Sequence, residues 1–426
     1  MKSKELLSYV KEGKLDSRFA TIYGEENVSS QRERYLEAIS EFISLYGNVE
    51  ASLFSVPGRS ELSGNHTDHN HGKVLAGSIN LDIIAVATKT ENGVITIKSK
   101  GFPEDVVDTN TYNAPRESDF FKSNALIAGM ASAFSKRGLN IGGYTAYTTS
   151  NVFKGSGLSS SAAFEVMVGN MLNYFYNEGK VENVEIAKMA QFSENVFFGK
   201  PCGLMDQMAC AVGGFVYIDF EDTTNPIIEK IPFDLSAKGY ALCIVNTGGN
   251  HADLNDDYAS VPKEMKSVAG YFGKDYLRQL DKDTVLSKAS ELRQAVGDRA
   301  ILRAIHFFNE NERVEVQREA LKSESISKFF DYVKKSGRSS FMYLQNVYTT
   351  KNVQEQGLSL ALAITDSVLG EGDGAFRVHG GGFAGTIQAF VPFAQVEEYR
   401  ASIDSAFGKG ACHVLRIRPD GAIKVL

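Results

Sequence analysis

Apolar residues at Tyr35, Leu36, Ile39, Phe42, Ile43 and Tyr46 recur at helical spacing behind Ser30 and Glu33, which can form a capping box, and Gly47 closes the run. This predicts an amphipathic helix over 30–46. The stretches ASLFSV (51–56) and LDIIAVATKTENGVITIKSK (81–100) are rich in β-branched and apolar residues, and Asn92-Gly93 in the second is a pair that closes two-residue hairpins. Two strands paired across that turn are therefore expected. Helical patterning returns over 120–136, 158–177 and 184–198 and begins again near Leu204, with extended segments at 143–149 and at FVYIDF, 215–220. Acids, threonines and Pro226 then interrupt the pattern. Beyond them YALCIVNT reads as a strand, 252–370 as largely helical, and AFRVHGGGFAGTIQAFV (375–391) as strand, glycine turn, then strand or helix. The alternation describes an α+β chain with a domain transition near 222–238.

Length and charge narrow the function. A chain of 426 residues suits two domains, which makes a cleft between them the natural place for a site. The net charge of −7, with no run of Lys or Arg longer than two, argues against nucleic acid and against an anionic membrane as partners. A small phosphate ligand stays open, because backbone amides and a metal ion can hold one. Cys202, Cys210, Cys243 and Cys412 are scattered and form no C-x-x-C pair, and the opening stretch MKSKELLSYVKEGKLDSRFA is too charged for a signal peptide. A cytoplasmic protein is expected.

Several stretches carry candidate chemistry. GRSELSGNHTDHNHG (58–72) gathers Arg59, Asn65, His66 and Asp68 in a segment placed as a loop between strands. Its spacing suits a metal poorly, since no H-x-x-x-H helix pairs two imidazoles. Mixed donors and acceptors suit a polyhydroxylated ligand, with a purely structural polar loop as the alternative. KGSGLSSSAAFEV (154–166) sets a Gly/Ser loop before an Ala-rich helix, where backbone N–H groups can turn toward an anion, though well-capped helices also look like this. It is no Walker A loop, as no Gly-Lys-Ser/Thr follows the glycines. Glu194 falls on the apolar stripe of 184–198, which requires a cation, a metal or a stripe-edge escape to water. Asp206 lies in the first turn of the next helix, and HGGGFAGT (379–386) is a third glycine cluster.

Together these stretches resemble one family. PGRSELSGNHTDHNHGKVL is similar to the sugar-binding signature of galactokinases, GSGLSSSAA to the phosphate loop of GHMP small-molecule kinases, GGGFAGT to their third glycine motif, and SENVFFGKPCGLMDQ to the galactokinase segment with the catalytic aspartate. The resemblance implies a two-domain GHMP kinase fold: an N-terminal domain like domain 2 of ribosomal protein S5 over 31–230, a ferredoxin-like C-terminal domain over 231–426, and residues 1–30 as an extension without a family counterpart. It implies an ATP-dependent sugar 1-kinase acting on galactose, as a monomer or homodimer, with ATP and Mg²⁺. Asp206 would orient or deprotonate the anomeric hydroxyl, and Arg59 would steady that aspartate and the phosphoryl group. Gly155, Ser156, Gly157, Leu158, Ser159, Ser160 and Ser161 would wrap the phosphates, and Ser161 with Glu194 would hold Mg²⁺. Asn65, His66, Asp68, Gly203 and Tyr258 would contact the sugar.

The chain departs from the family pattern at Asn65, where galactokinases usually carry Glu, and at Ala384, where a glycine is usual; His379 precedes the third motif. Asn65 opens the alternative of a related sugar such as galacturonate or N-acetylgalactosamine. A sugar sensor with little catalysis is an alternative of another class, and the intact phosphate loop, Arg59, Glu194 and Asp206 favour the enzyme.

Overall fold

The computed structural model describes residues 1–153, 157–249, 254–370 and 372–426. Three helices, α1 (Ser3–Lys11), α2 (Asp16–Tyr23) and α3 (Val28–Tyr46), precede strands β1 (Ser52–Ser63), β2 (Lys73–Lys89), β3 (Val94–Ser99) and β4 (Glu104–Asp108). Then follow α4 (Ser123–Lys136), β5 (Tyr144–Ser150), α5 (Ser160–Tyr176), α6 (Asn183–Phe192), α7 (Met205–Val212), β6 (Phe215–Asp219) and β7 (Ile227–Ile231). The remainder comprises β8 (Tyr240–Asn246), α8 (Asn255–Tyr271), α9 (Lys282–Ser287), α10 (Ala289–Ala295), α11 (Asp298–Lys322), α12 (Ile326–Ser339), α13 (Gly357–Leu369), β9 (Ala375–Val378), β10 (Thr386–Pro392), α14 (Val396–Phe407), β11 (Cys412–Leu415) and β12 (Ile423–Lys424).

Two sheets organise these elements. The first runs β12-β1-β2-β5-β3-β4, with β6 paired to β2 and β7 to β6; the second is antiparallel, in the order β11-β8-β10-β9. The expected hairpin across Asn92-Gly93 does not form. β5 lies between β2 and β3, antiparallel to the former and parallel to the latter. Asn92 spends its side chain inside the connection, accepting from the Val94 N–H and the Thr90 hydroxyl, and Gly143 enters the gap. A Cβ on Gly143 would stand 2.6 Å from Thr90 Oγ1, Asn92 Oδ1 and the Val94 carbonyl. Only glycine lets β5 start there.

Among the described residues, four apolar clusters fill the molecule. The largest packs α4–α7 on the first sheet and reaches α11, α12 and part of the second sheet. A second lies under α13 and α14, and a third gathers α8–α11. The fourth joins α1, α2 and α3 to β1, β2 and β5, so the segment 1–30, which pattern alone left unplaced, buries Leu6, Val10, Phe19, Ile22 and Tyr23. Asp82 on β2 is the polar centre of that region. Fully buried, it accepts from Arg34 (2.6 Å), Arg418 (3.1 Å) and the Tyr23 hydroxyl (2.6 Å), and from Ser55 in a shorter contact. Burial pushes its carboxyl up, but the two arginines outweigh this and hold it below the usual range. Asp82 and Asn151 exchange hydrogen bonds of 2.6 and 3.1 Å, which anchors the end of β5 where the chain enters the phosphate loop.

Candidate active site

The signature segment is not wholly a loop. β1 continues through Arg59 to Ser63, with bulges between Pro57 and Arg59 and between Glu61 and Ser63 that re-aim its side chains. Arg59 emerges 7% exposed and meets Asp206 at the start of α7: Nε donates to Oδ1 at 2.8 Å and Nη2 lies 2.7 Å from the same oxygen. Arg59 Nη1 donates to the Gly157 carbonyl, its backbone N–H to the Leu158 carbonyl, and the Ser159 hydroxyl to Asp206 Oδ2. The signature, the phosphate loop and the start of α7 thus meet in one cluster. Burial acts to raise the Asp206 carboxyl, but the Arg59 charge and the hydrogen bonds from Arg59 and Ser159 hold it below its ordinary value, so it stays ionised at neutral pH. Gly155 and Ser156 lie outside the described residues.

Beside this cluster is an oxygen-rich recess. A π-helical turn over 193–198 carries Glu194, 2% exposed, with Lys200 Nζ 3.0 Å and the Ser161 hydroxyl 3.4 Å from Oε1. The Gln207 amide bridges Glu194 Oε2 (2.7 Å) and Glu165 Oε2 (3.3 Å). Glu165, unremarked in the sequence because it sits in an Ala-rich helix, is fully buried with Oε1 unpartnered among the described residues. Burial, then the charge of Glu194, pushes its carboxyl well up. The Glu194 carboxylate and the Ser161 hydroxyl, with the protonated Glu165 carboxyl behind them, form a hard-oxygen set suited to Mg²⁺, which needs only one or two carboxylates beside substrate phosphates. Among the described residues no group of three His, Cys, Asp or Glu side chains could hold a metal by itself.

On the other side lie the residues expected at the sugar. Asp68 approaches Gly203 so closely that a Cβ there would stand 2.8 Å from Asp68 Oδ2. Asn65, His66 and Tyr258 converge on the third glycine loop, whose successive carbonyls they occupy. Asn65 Nδ2 donates to Gly380 O (2.7 Å), His66 Nε2 to Gly381 O (2.9 Å) and the Tyr258 hydroxyl to Gly382 O (3.0 Å). Burial lowers the His66 imidazole to about 4, so it is neutral and its Nε2–H is the donor. Asn65 is fully buried, and its amide also donates to Glu61 (2.9 Å) and accepts from Asn346 (2.8 Å) and Ser340 (3.4 Å). Every hydrogen-bonding position of that amide is taken by protein. Of the other histidines in the segment, His71 stacks on Tyr276 at 3.7 Å and His69 is exposed, so the three do not share a centre.

Sequence reasoning did not find Arg377, Asn346 or Glu61 as parts of this framework. Fully buried Arg377 donates to Leu62 O (3.1 Å) and Glu61 Oε1 (3.2 Å), tying the second sheet to the signature. An arginine inside the apolar run AFRV was the available signal. Non-glycine residues with left-handed backbone occur in each of the three loops: His66 (φ 58°), Ser159 (φ 57°) and Phe383 (φ 58°). Such conformations persist only where the surroundings enforce them, and they cluster at functional sites.

A Gly/Ser loop, a helix-borne aspartate clamped by arginine and a buried set of hard oxygens, brought together, are the elements of a small-molecule kinase. Residues 125–214 match the GHMP kinases N terminal domain. Residues 40–89 match the galactokinase galactose-binding signature. The chain is 29% identical to galactokinase of Streptomyces coelicolor over 385 residues, covering 88% of this chain and 94% of that protein. It is 27% identical to galactokinase of Clostridium tetani over 378 residues, covering 88% and 92%. In fold it is similar to Lactococcus lactis galactokinase complexed with galactose, with a TM-score of 0.73 at 22% identity over 90% of this chain and 98% of that one. A mevalonate kinase follows with a TM-score of 0.61 at 15% identity, over 86% and 98%.

Proposed function

We propose that this protein is a galactokinase, transferring the γ-phosphoryl group of ATP to the anomeric hydroxyl of galactose. The observation that carries the proposal is the Arg59–Asp206–Ser159 cluster, which sets an ionised carboxylate against the phosphate loop in a chain bearing the galactose-binding signature. Asp206 aligns the sugar hydroxyl. As the new O–P bond forms and the bond from phosphorus to the ADP oxygen breaks, the hydroxyl proton passes to Asp206 and from there to water. A weak base suffices, because phosphoryl transfer is governed by positioning and charge neutralisation. Arg59 stabilises the aspartate and the charge on the moving phosphoryl group.

Glu194 and Ser161 would hold Mg²⁺, with Glu165 behind them; the ion, when bound, neutralises charge on the ATP phosphates. Lys200 keeps Glu194 paired otherwise. Asp68 and Gly203 would line the sugar. Asn65, His66 and Tyr258 would act there chiefly by holding the third glycine loop in place. Four unpaired cysteines support a reducing, cytoplasmic setting, and no described helix is long and apolar enough to cross a membrane.

The test is ADP release with Mg-ATP against galactose, galacturonate, N-acetylgalactosamine and glucose, with NMR of the product. Galactose turning over to its 1-phosphate, and losing at least about 100-fold in kcat in Asp206→Asn, is the expected result. Equal, negligible rates in wild type and variant would overturn the kinase reading.

A further inference from the structure

His379 follows β9 and brings its imidazole against the phosphate loop. A Cβ on Gly157 would lie 3.4 Å from its Cε1 and 3.5 Å from its Nδ1. Its backbone N–H donates to Thr386 O at 3.0 Å, and Nδ1 is 2.8 Å from the Thr386 hydroxyl. The residue is 2% exposed, yet Nε2 is buried without a partner among the described residues. Burial first, then the charges of Arg59 and Arg377, lower the imidazole to about 3 against the opposing pull of Asp206, so the ring is neutral at working pH. A neutral imidazole offers one N–H and one lone pair. Leaving either unmatched in the interior costs stability, so a buried Nε2 without a partner calls for a functional explanation. Of the three charged groups that act on the ring, Arg59 and Asp206 belong to the reaction centre and Arg377 to the buried framework beside it.

We propose that His379 is a catalytic residue whose Nε2–H donates a hydrogen bond to a non-bridging oxygen of the phosphoryl group in transit, with the Thr386 hydroxyl donating to Nδ1 to hold that tautomer. The inference rests on the kinase reading above. No proton is transferred by the imidazole: the sugar hydroxyl proton still goes to Asp206, and the ring is neutral before and after. A neutral donor suits this position beside Arg59, because a second cation there would bind ADP and product as tightly as the transition state.

Glutamine places an amide N–H where Nε2 lies, whereas asparagine places its polar atoms nearer Nδ1. His379→Gln is therefore expected to keep kcat within about fivefold, and His379→Asn to lose about 100-fold or more with both KM values little changed, the size typical of a lost donor to developing charge. Asparagine restoring more activity than glutamine would overturn the proposal, because a structural role through Thr386 predicts that order. Nitrogen-15 NMR of histidine-labelled enzyme with Mg-AMPPNP reads the contact without turnover, with His379→Asn identifying the resonance. An Nε2–H tautomer whose signal moves on nucleotide binding supports the role; an Nδ1–H tautomer or an unmoved signal refutes it. If wild type turns over no sugar, the kinase reading fails on that result alone, and the NMR still decides whether His379 meets the nucleotide.

Discussion

Asn65→Asp tests the buried hydrogen-bond framework most directly, because it keeps the shape and replaces one NH₂ by oxygen. In wild type that NH₂ donates to Glu61 at 2.9 Å and to the Gly380 carbonyl at 2.7 Å. In the variant both contacts become oxygen against oxygen. Two ionised carboxylates 2.9 Å apart would repel by about 6 kcal/mol at an effective dielectric of 20, more than retaining one proton costs, so the pair keeps a proton. Glu61 is already poised for this: burial pushes it up to about 7 despite Arg377 and Arg59. At pH 6 the variant should then lose only the Gly380 bond and part of the Glu61 bond, about 2 kcal/mol. A folded-state pKa raised above the unfolded value gives stability that is present at low pH and lost as pH rises. Above pH 7 the variant should therefore lose about 1.4 kcal/mol per pH unit relative to wild type, reaching about 4 kcal/mol at pH 8.5. Urea midpoints at pH 6 and 8.5, with unchanged m-values, measure both quantities. A cost below about 1 kcal/mol at pH 8.5, or the same cost at both pH values, would refute the reasoning.

Other outcomes follow from the same structure. Asp82→Asn should destabilise the protein by about 3–5 kcal/mol, as expected when one partner of a buried ion cluster is removed, visible as a lower Tm. Unchanged Tm would show that Arg34 and Arg418 find other partners. Burial depresses His66 and His306 to about 4 and His379 to about 3, below the ordinary value of 6.5, so their stabilisation is present above 6.5 and lost as pH falls. Each withdraws on the order of 2 kcal/mol by pH 5, and His306→Gln should flatten the fall in urea midpoint between pH 7 and 5; parallel curves would contradict it. Glu194→Gln should weaken apparent Mg²⁺ affinity at least about tenfold, read from rate against Mg²⁺ concentration, with the sugar KM unmoved. Gly203→Ala should push Asp68 aside and cost about tenfold in kcat/KM for the sugar, with little change for ATP.

Local signals in the sequence mark the clustered polar side chains better than they mark the architecture. Glu194 stood out as a carboxylate on an apolar stripe, and the structure gives it Lys200, Gln207 and Ser161 as neighbours. The pattern puts Asp206 in the first turn of a helix, where it lies. The Asn92-Gly93 hairpin failed because strand order depends on β5, which begins only at Tyr144, beyond β4 and α4, and no local pattern records that pairing. Pattern also left the segment 1–30 unplaced, since short helices such as α1 and α2 are stabilised by packing on β1, β2 and β5 and not by their own periodicity. Asn65 looked like a group that would face the sugar; that its amide is filled depends on Asn346, Ser340 and Gly380, all distant in sequence. Glu165 and Arg377 were hidden for the same reason: a buried charge is identified by its partners.

Arg418 and β12 return to the first sheet from the far end of the chain, and this has a cost in time. Asp82 leaves the ribosome 336 residues before Arg418, an interval of about 20–70 s at ordinary elongation rates. Throughout it, β1 has an unpaired edge where Phe54 and Ser55 will later meet Lys424 and Ile423, and a buried carboxylate lacks one of its two cations. The nascent chain must wait in a sticky, half-neutralised form. Fragments cut after β7 should stay in that form permanently, so this N-terminal half is a poor unit for separate expression.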